Sequence, residues 1–255
     1  FLIVIPLCGR MDVVMTQTVN VSPGQLPTGG VVSGGAVKLQ SSGTTLWVNQ
    51  SSSRGVVDWS TFNIGSQAKV EFVQPSASAV TLNRVMDVNP SQILGKLSAT
   101  GQVFISNPNG IIFGTTSRVD VGGLVASTQR IGVADFMAGN QRLVANTPGG
   151  TIVNQGLLQS SLGGYIALMA PQVRNEGVIV AREGTVALAA GTQTTLEFMG
   201  SRLVSVMVDQ PALNALIENK QLIRAEGGFV VMSARSASSL MRTVVNNTGV
   251  VQAPT

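Results

Sequence analysis

The chain has 255 residues, a length that a single solenoid domain fills comfortably. Charged residues make up 11% and apolar residues 44%, which excludes a disordered chain, and 29 Gly beside 4% aromatics argues against a helical bundle. The formal charge of +4, with no His, comes mostly from single scattered Arg residues without interleaved aromatics, so the chain carries no nucleic-acid-binding footprint.

Reading from the start, Phe1 to Ile5 is a short apolar run with no basic region before it. Residues 1–10 are therefore either the remnant of a signal sequence or an N-terminal cap. Cys8 is the only cysteine, so no internal disulfide can form, and Leu7 before it is too large for a lipid-attachment site. No stretch of 18 apolar residues occurs anywhere, which predicts no membrane span.

The first half then runs through a series of short apolar blocks: Gly55–Gly65, Lys69–Ser76, Ser78–Val85, Ile93–Leu97, Gly101–Gly114 and Val119–Thr128. Trp59 and Phe62 are expected in the core or in a cap. Arg84 sits in an apolar block and needs a partner, either Asp58, Asp87 or backbone carbonyls. Asn107-Pro108-Asn109-Gly110-Ile111 has the residue order of a type I turn, with Asn first, Pro second and Gly fourth. Val103 and Ile105 alternate before it, and Ile111 and Phe113 follow, so it reads as a tight corner between two strands.

The second half carries internal repeats. Thr151–Gln159, Gln172–Val180 and Val244–Gln252 each hold Asn-x-Gly followed by apolar residues, and Asn219 begins a fourth copy with Gln221 in the Gly position. A second pattern interleaves: Ile166, Leu168, Ala170; Val186, Leu188, Ala190; Val230, Met232, Ala234. Period-2 alternation bounded by Gly means strands with one inward face. Two such strands per repeat of about 21 residues make one coil of a right-handed parallel β-helix, since a coil buries its apolar face only by stacking on the next. Asn and Gly at the corners supply left-handed backbone, and stacked Asn amides form a ladder. Leu203–Val208 reads as a strand and Pro211–Asn219 as helical, an excursion near residues 205–220. The whole chain is expected to be one all-β domain: a capped, motif-bearing half over 11–130, then regular coils over 131–255, with a few extra-helical hairpins. The last coil is expected to present an open edge.

The ordered blocks resemble the two-partner secretion domain, also called the haemagglutination activity domain, which opens filamentous haemagglutinins and high-molecular-weight adhesins. Leu82-Asn83-Arg84-Val85 resembles the adhesin branch, Asn107–Ile111 resembles the motif shared by both branches, and Met11-Asp12-Val13-Val14 resembles the start of the mature domain. The resemblance implies a secreted, cell-surface, non-enzymatic monomer that crosses the periplasm of a Gram-negative bacterium. It implies as partner an outer-membrane Omp85-type transporter with POTRA domains, and neither cofactor nor metal. It also implies that the five residues Asn107 to Ile111, and the four from Leu82 to Val85, serve export, although a turn that merely helps folding would create the same requirement.

Two other functions fit a β-helix: a polysaccharide-degrading enzyme and a carbohydrate-binding adhesion module. An enzyme of that kind needs clustered carboxylates. The twelve acidic residues here are scattered, with no close Asp pair.

Overall fold

A computed structural model describes residues 20–145, 149–237 and 244–254. The predicted inward alternation is present: Ile166, Leu168, Val186 and Leu188 are fully buried in one core that runs along the solenoid from Leu46 to Ala225. Val230 and Met232 stand in register with Val186 and Leu188 but are only half-buried, because among the described residues no further strand stacks on Phe229–Ala234.

Each coil has three faces, not two. In one turn of chain, Thr151–Asn154 pairs Gln172–Asn175, Leu157–Gln159 pairs Val178–Val180, and Tyr165–Ala170 pairs Thr185–Ala190, all parallel. The segment read as one strand in the sequence is broken by Asn-x-Gly into two short strands meeting at a corner. Three flat faces enclose a right-handed, roughly triangular core, and the same three faces extend back to Ser91–Ile93, Lys96–Ala99 and Gln102–Ser106.

At the corners the ladder of amides forms as expected. Asn154 Nδ2 donates to Asn175 Oδ1 (2.8 Å), Asn175 to Asn219 (2.7 Å) and Asn219 to Asn247 (2.7 Å). The role expected of the corner glycines is different, however. Gly156, Gly177 and Gly249 do not have positive φ. They are required by close stacking: a Cβ on Gly177 would lie 2.3 Å from the Gly156 carbonyl oxygen, and one on Gly249 would lie 2.2 Å from that of Gln221. Left-handed backbone belongs instead to the corner before the long face, at Gly163, Glu183 and Gly227 (φ 72°, 51° and 68°).

The excursion also differs from its expected place. Pro211–Asn219 is not helical: Leu216–Asn219 is a strand in register with Gln172–Asn175. Pairing with an existing edge outweighs the local helical tendency of Ala-Leu-Asn-Ala-Leu. The chain leaves the coil earlier, as the antiparallel pair Gln193–Met199 and Arg202–Gln210, joined on its other side by Arg142–Val144. A short helix, Val133–Ala138, is inserted just before. Together these pieces cover the outer side of the long face and make a second core of Leu82, Phe104, Phe136, Tyr165, Leu196 and Val206 among others. Both sides of that face are buried, which is why small residues such as Ala167, Ala187 and Ala189 alternate with the inward aliphatics.

The N-terminal cap is antiparallel. Val31–Gly34 pairs Arg54–Trp59, and the hairpin Val37–Ser42/Thr45–Gln50 lies over the first rung, which blocks parallel extension at that end. Residues 1–19, including Cys8 and Met11 to Val14, lie outside the described residues.

Candidate functional site

The two motif blocks are brought together by the stacking. Val80–Val85 is the strand directly below Gln102–Ser106, with Arg84 opposite Ser106, so the block Leu82–Val85 lies under the residues that lead into the turn at Asn107.

Asn107 is fully buried and works in three directions. Its Oδ1 accepts from the Asn109 N–H (3.0 Å), and its backbone carbonyl accepts from the Gly110 N–H (3.1 Å), which closes the turn. Its Nδ2 donates down to the preceding coil, to the Asn89 carbonyl (3.1 Å) and to Ser91 Oγ (3.0 Å). Its own N–H reaches the Ser127 carbonyl of the following coil (3.0 Å). Asn109 is exposed, yet its Nδ2 donates to the Asp87 carbonyl (2.7 Å). The carbonyl of Pro108 accepts from the Gly150 N–H (2.7 Å).

The glycines and Ile111 complete the clamp. Gly110 has φ 115°, a conformation closed to L side chains, and an added Cβ would lie 2.8 Å from the Thr151 carbonyl oxygen. Ile111 is buried between Ser91 below and Ile152 above. The turn is therefore a staple joining three successive coils.

The lower block is equally enclosed. Leu82 and Val85 are buried, on opposite sides of the long face, in the outer and inner cores respectively. Asn83 is fully buried: its Oδ1 accepts from Trp59 Nε1 (3.0 Å), and its Nδ2 donates to the Phe104 carbonyl (3.2 Å). Trp59 packs edge-to-face on Phe62 at 5.6 Å, so both aromatics are core residues. Of the partners open to Arg84, the structure selects Asp58, in a bidentate pair at 2.6 and 2.8 Å. That guanidinium holds the Asp58 carboxyl below the usual carboxylate range.

Asn89 and Ser91, which with Asp87 hold the turn from below, were not singled out in the sequence, and Asp87 entered there only as a possible partner for Arg84. Asn89-Pro90 repeats the Asn-Pro of the motif eighteen residues upstream, and that echo was the available signal.

Two carboxylates of the later coils are neutralised across the rungs. Glu176 and Glu218 share Lys220 at 3.0 and 3.8 Å, and hydrogen bonds from Gln155 and Lys220 hold the Glu176 carboxyl below its ordinary range. A general acid for glycoside cleavage needs the opposite shift.

The family described as TPS secretion domain matches residues 24–255. Two curated relatives from Haemophilus influenzae, both named heme/hemopexin-binding protein, are 32% identical over 89% of the chain and 27% identical over 81%. The chain spans about a quarter of their length, 25% and 24%. The crystal structure of the HMW1 secretion domain from Haemophilus influenzae matches with a TM-score of 0.74 at 28% identity, over 81% of this chain and 57% of that one. The filamentous hemagglutinin secretion domain matches with a TM-score of 0.53 at 16% identity, over 89% of this chain and all of that one, a likeness of fold alone.

Proposed function

Because this chain belongs to the TPS secretion domain family, the secretion domain of a large exoprotein, we propose that it directs export of that exoprotein through a two-partner outer-membrane transporter and then nucleates β-helix folding. The observation that carries this reading is the burial of the motif. Asn107, Gly110 and Ile111 are enclosed, and only Asn109 and part of Pro108 face solvent. A transporter meeting the folded domain would touch little of the motif. The turn instead closes three coils at once, so its formation outside the cell converts a local contact into the first stable stack. Coils added afterwards need only pair with an existing edge.

During passage the same residues are extended and available for strand addition to the transporter's POTRA domains. This reading gives Asn107 to Ile111 a part in both steps and gives Leu82 to Val85 the platform on which the turn closes. The surface activity of the whole exoprotein lies outside these residues. Adhesion is one such activity, in keeping with the Leu82–Val85 block. The names of the two relatives favour a second, capture of a heme-carrying ligand. This chain has no His, and its single Tyr, Tyr165, is fully buried, so it offers neither of these common heme ligands at its surface.

The test is Asn107→Ala beside Asn109→Ala, each co-expressed with the transporter. Asn107→Ala removes three side-chain hydrogen bonds at a buried site, and at roughly 0.5–1.5 kcal/mol each it should cost about 2–4 kcal/mol. That is more than an isolated turn would lose. Extracellular yield should fall at least tenfold for Asn107→Ala and far less for Asn109→Ala. Normal secretion of Asn107→Ala would overturn the proposal.

A further inference from the structure

The motif turn holds the one Asn-Gly dipeptide of the chain, Asn109-Gly110. Such a pair is chemically unstable wherever the backbone is free. Because Gly has no Cβ, its backbone nitrogen reaches the Asn side chain unhindered. That nitrogen attacks the side-chain carbon Cγ and an N–Cγ bond forms. The Cγ–Nδ2 bond breaks, and ammonia leaves carrying the proton that the attacking nitrogen gave up. Water then opens the five-membered imide at either carbonyl. The product is aspartate or, more often, isoaspartate, in which the main chain runs through the former side chain and is one carbon longer.

Asn109 is the exposed residue of the motif, so exposure alone would leave it open to this reaction in the folded domain. The geometry closes it. Both reacting groups are pinned by separate hydrogen bonds. The Gly110 N–H, whose proton must leave, donates to the Asn107 carbonyl (3.1 Å). The Asn109 Nδ2 donates to the Asp87 carbonyl of the coil below (2.7 Å), which anchors Cγ away from the attacking nitrogen. The peptide between them is covered from the other side. Gly150 of the following coil stacks on it, and a Cβ there would lie 2.6 Å from the Gly110 nitrogen and closer still to the Asn109 carbonyl. Closing the imide would break both hydrogen bonds and lift Gly150 off the turn.

A product formed before folding meets the same obstacles. Isoaspartate inserts a backbone carbon into a turn that the Asn107 carbonyl and Gly110 N–H close directly. The lengthened loop has nowhere to go, since Gly110 is buried and even an added Cβ would lie 2.8 Å from the Thr151 carbonyl oxygen. Aspartate keeps the backbone but loses the Nδ2 donor and sets a carboxylate against the Asp87 carbonyl.

We infer that Asn109-Gly110 is a spontaneous deamidation site, open in the extended chain and shut when the turn closes, and that the isoaspartate product cannot close the turn. Stacking of three coils thus protects the residue, and the time a chain spends unfolded is limited by its own chemistry. The inference goes beyond the export reading and does not depend on it, because the transporter takes no part in the reaction or in its test.

The experiment ages purified chain at one pH and temperature, folded in buffer or unfolded in guanidinium chloride, and then dilutes both to refold. Peptide mass spectrometry follows conversion of the Asn109 amide to acid. Conversion should be at least tenfold slower in the folded chain, as for other reactions that require local opening. The refolding yield of the chain aged unfolded should fall in step with its conversion. Asn109→Ala has no amide to lose and should keep its refolding yield over the same period. Equal conversion in folded and unfolded chain would overturn the inference. So would converted chain that refolds to the wild-type melting temperature, or Asn109→Ala chain that loses yield as fast as wild type.

Discussion

The coils before residue 128 and those after residue 150 solve the same packing problem with different residues, and one column shows the contrast. At the corner between the first and second faces, the stacked residues are Ile64, Ile93 and Phe113 in the early coils, then Asn154, Asn175, Asn219 and Asn247 in the later ones. Phe113 and Asn154 are direct neighbours in the register, so the column changes from apolar to amide in one rung. Early coils differ from one another and are held by large aromatics and by polar contacts specific to each level. Later coils are nearly interchangeable and are held by one repeated bond. A domain that must start folding at one place needs a unique first stack, while the stack that follows gains from uniformity.

The sharpest way to break this comparison is to cut the largest side chain in the early column. Phe113 is fully buried against both neighbouring rungs, so Phe113→Ala should cost about 3–5 kcal/mol. Chemical denaturation should show the whole early region lost together. A loss under about 1 kcal/mol would mean that the early coils are no more tightly specified than the late ones.

In the late column, Asn175→Ala removes two side-chain bonds and strands Asn154 and Asn219 in a dry corner, at about 2–3 kcal/mol. Asn247, at the end of the ladder, has one such bond and is exposed. Its Ala variant should lose less than about 1 kcal/mol, with water replacing the partner. Equal losses at the two positions would show that the ladder does not act as a cooperative column. Hydrogen exchange read rung by rung would locate where the protection is lost.

How legible each region was follows from the same contrast. The later coils announced themselves because Asn-x-Gly and the Ile/Leu/Ala triplets recur with fixed spacing, and the amide ladder could be anticipated from them. The early coils carry no period: insertions and unique corners separate Ile64, Ile93 and Phe113. There, only the resemblance pointed to Leu82–Val85 and Asn107–Ile111, and nothing in either block showed that they stack one over the other. The third face escaped notice because its strands are three or four residues long and share an apolar run with their neighbours across the corner. The covering layer was hidden as well. Ala167, Ala187 and Ala189 look like neutral outer residues in the sequence, and only the hairpin folded over them makes them core.

The smallest expected effect lies at the left-handed corner of the late coils. Gly163, Glu183 and Gly227 occupy equivalent positions, and among the described residues Glu183 is the one non-glycine with positive φ, at 51°. An L side chain in that region costs roughly 1–2 kcal/mol. Replacing it with Gly removes that strain but raises the entropy of the unfolded chain, which takes back about 0.4–1 kcal/mol. Among the described residues Glu183 makes no ion pair whose loss would enter the balance; the nearby Arg182 pairs with Glu226 instead. The net for Glu183→Gly is therefore a gain of about 0.5 kcal/mol, a rise of roughly 1–2 °C in melting temperature for a domain of this size. Glu183→Ala keeps the strain and should show no gain. A lower melting temperature for Glu183→Gly would mean that this corner is held by the side chain, and that the late coils are less interchangeable than their register suggests.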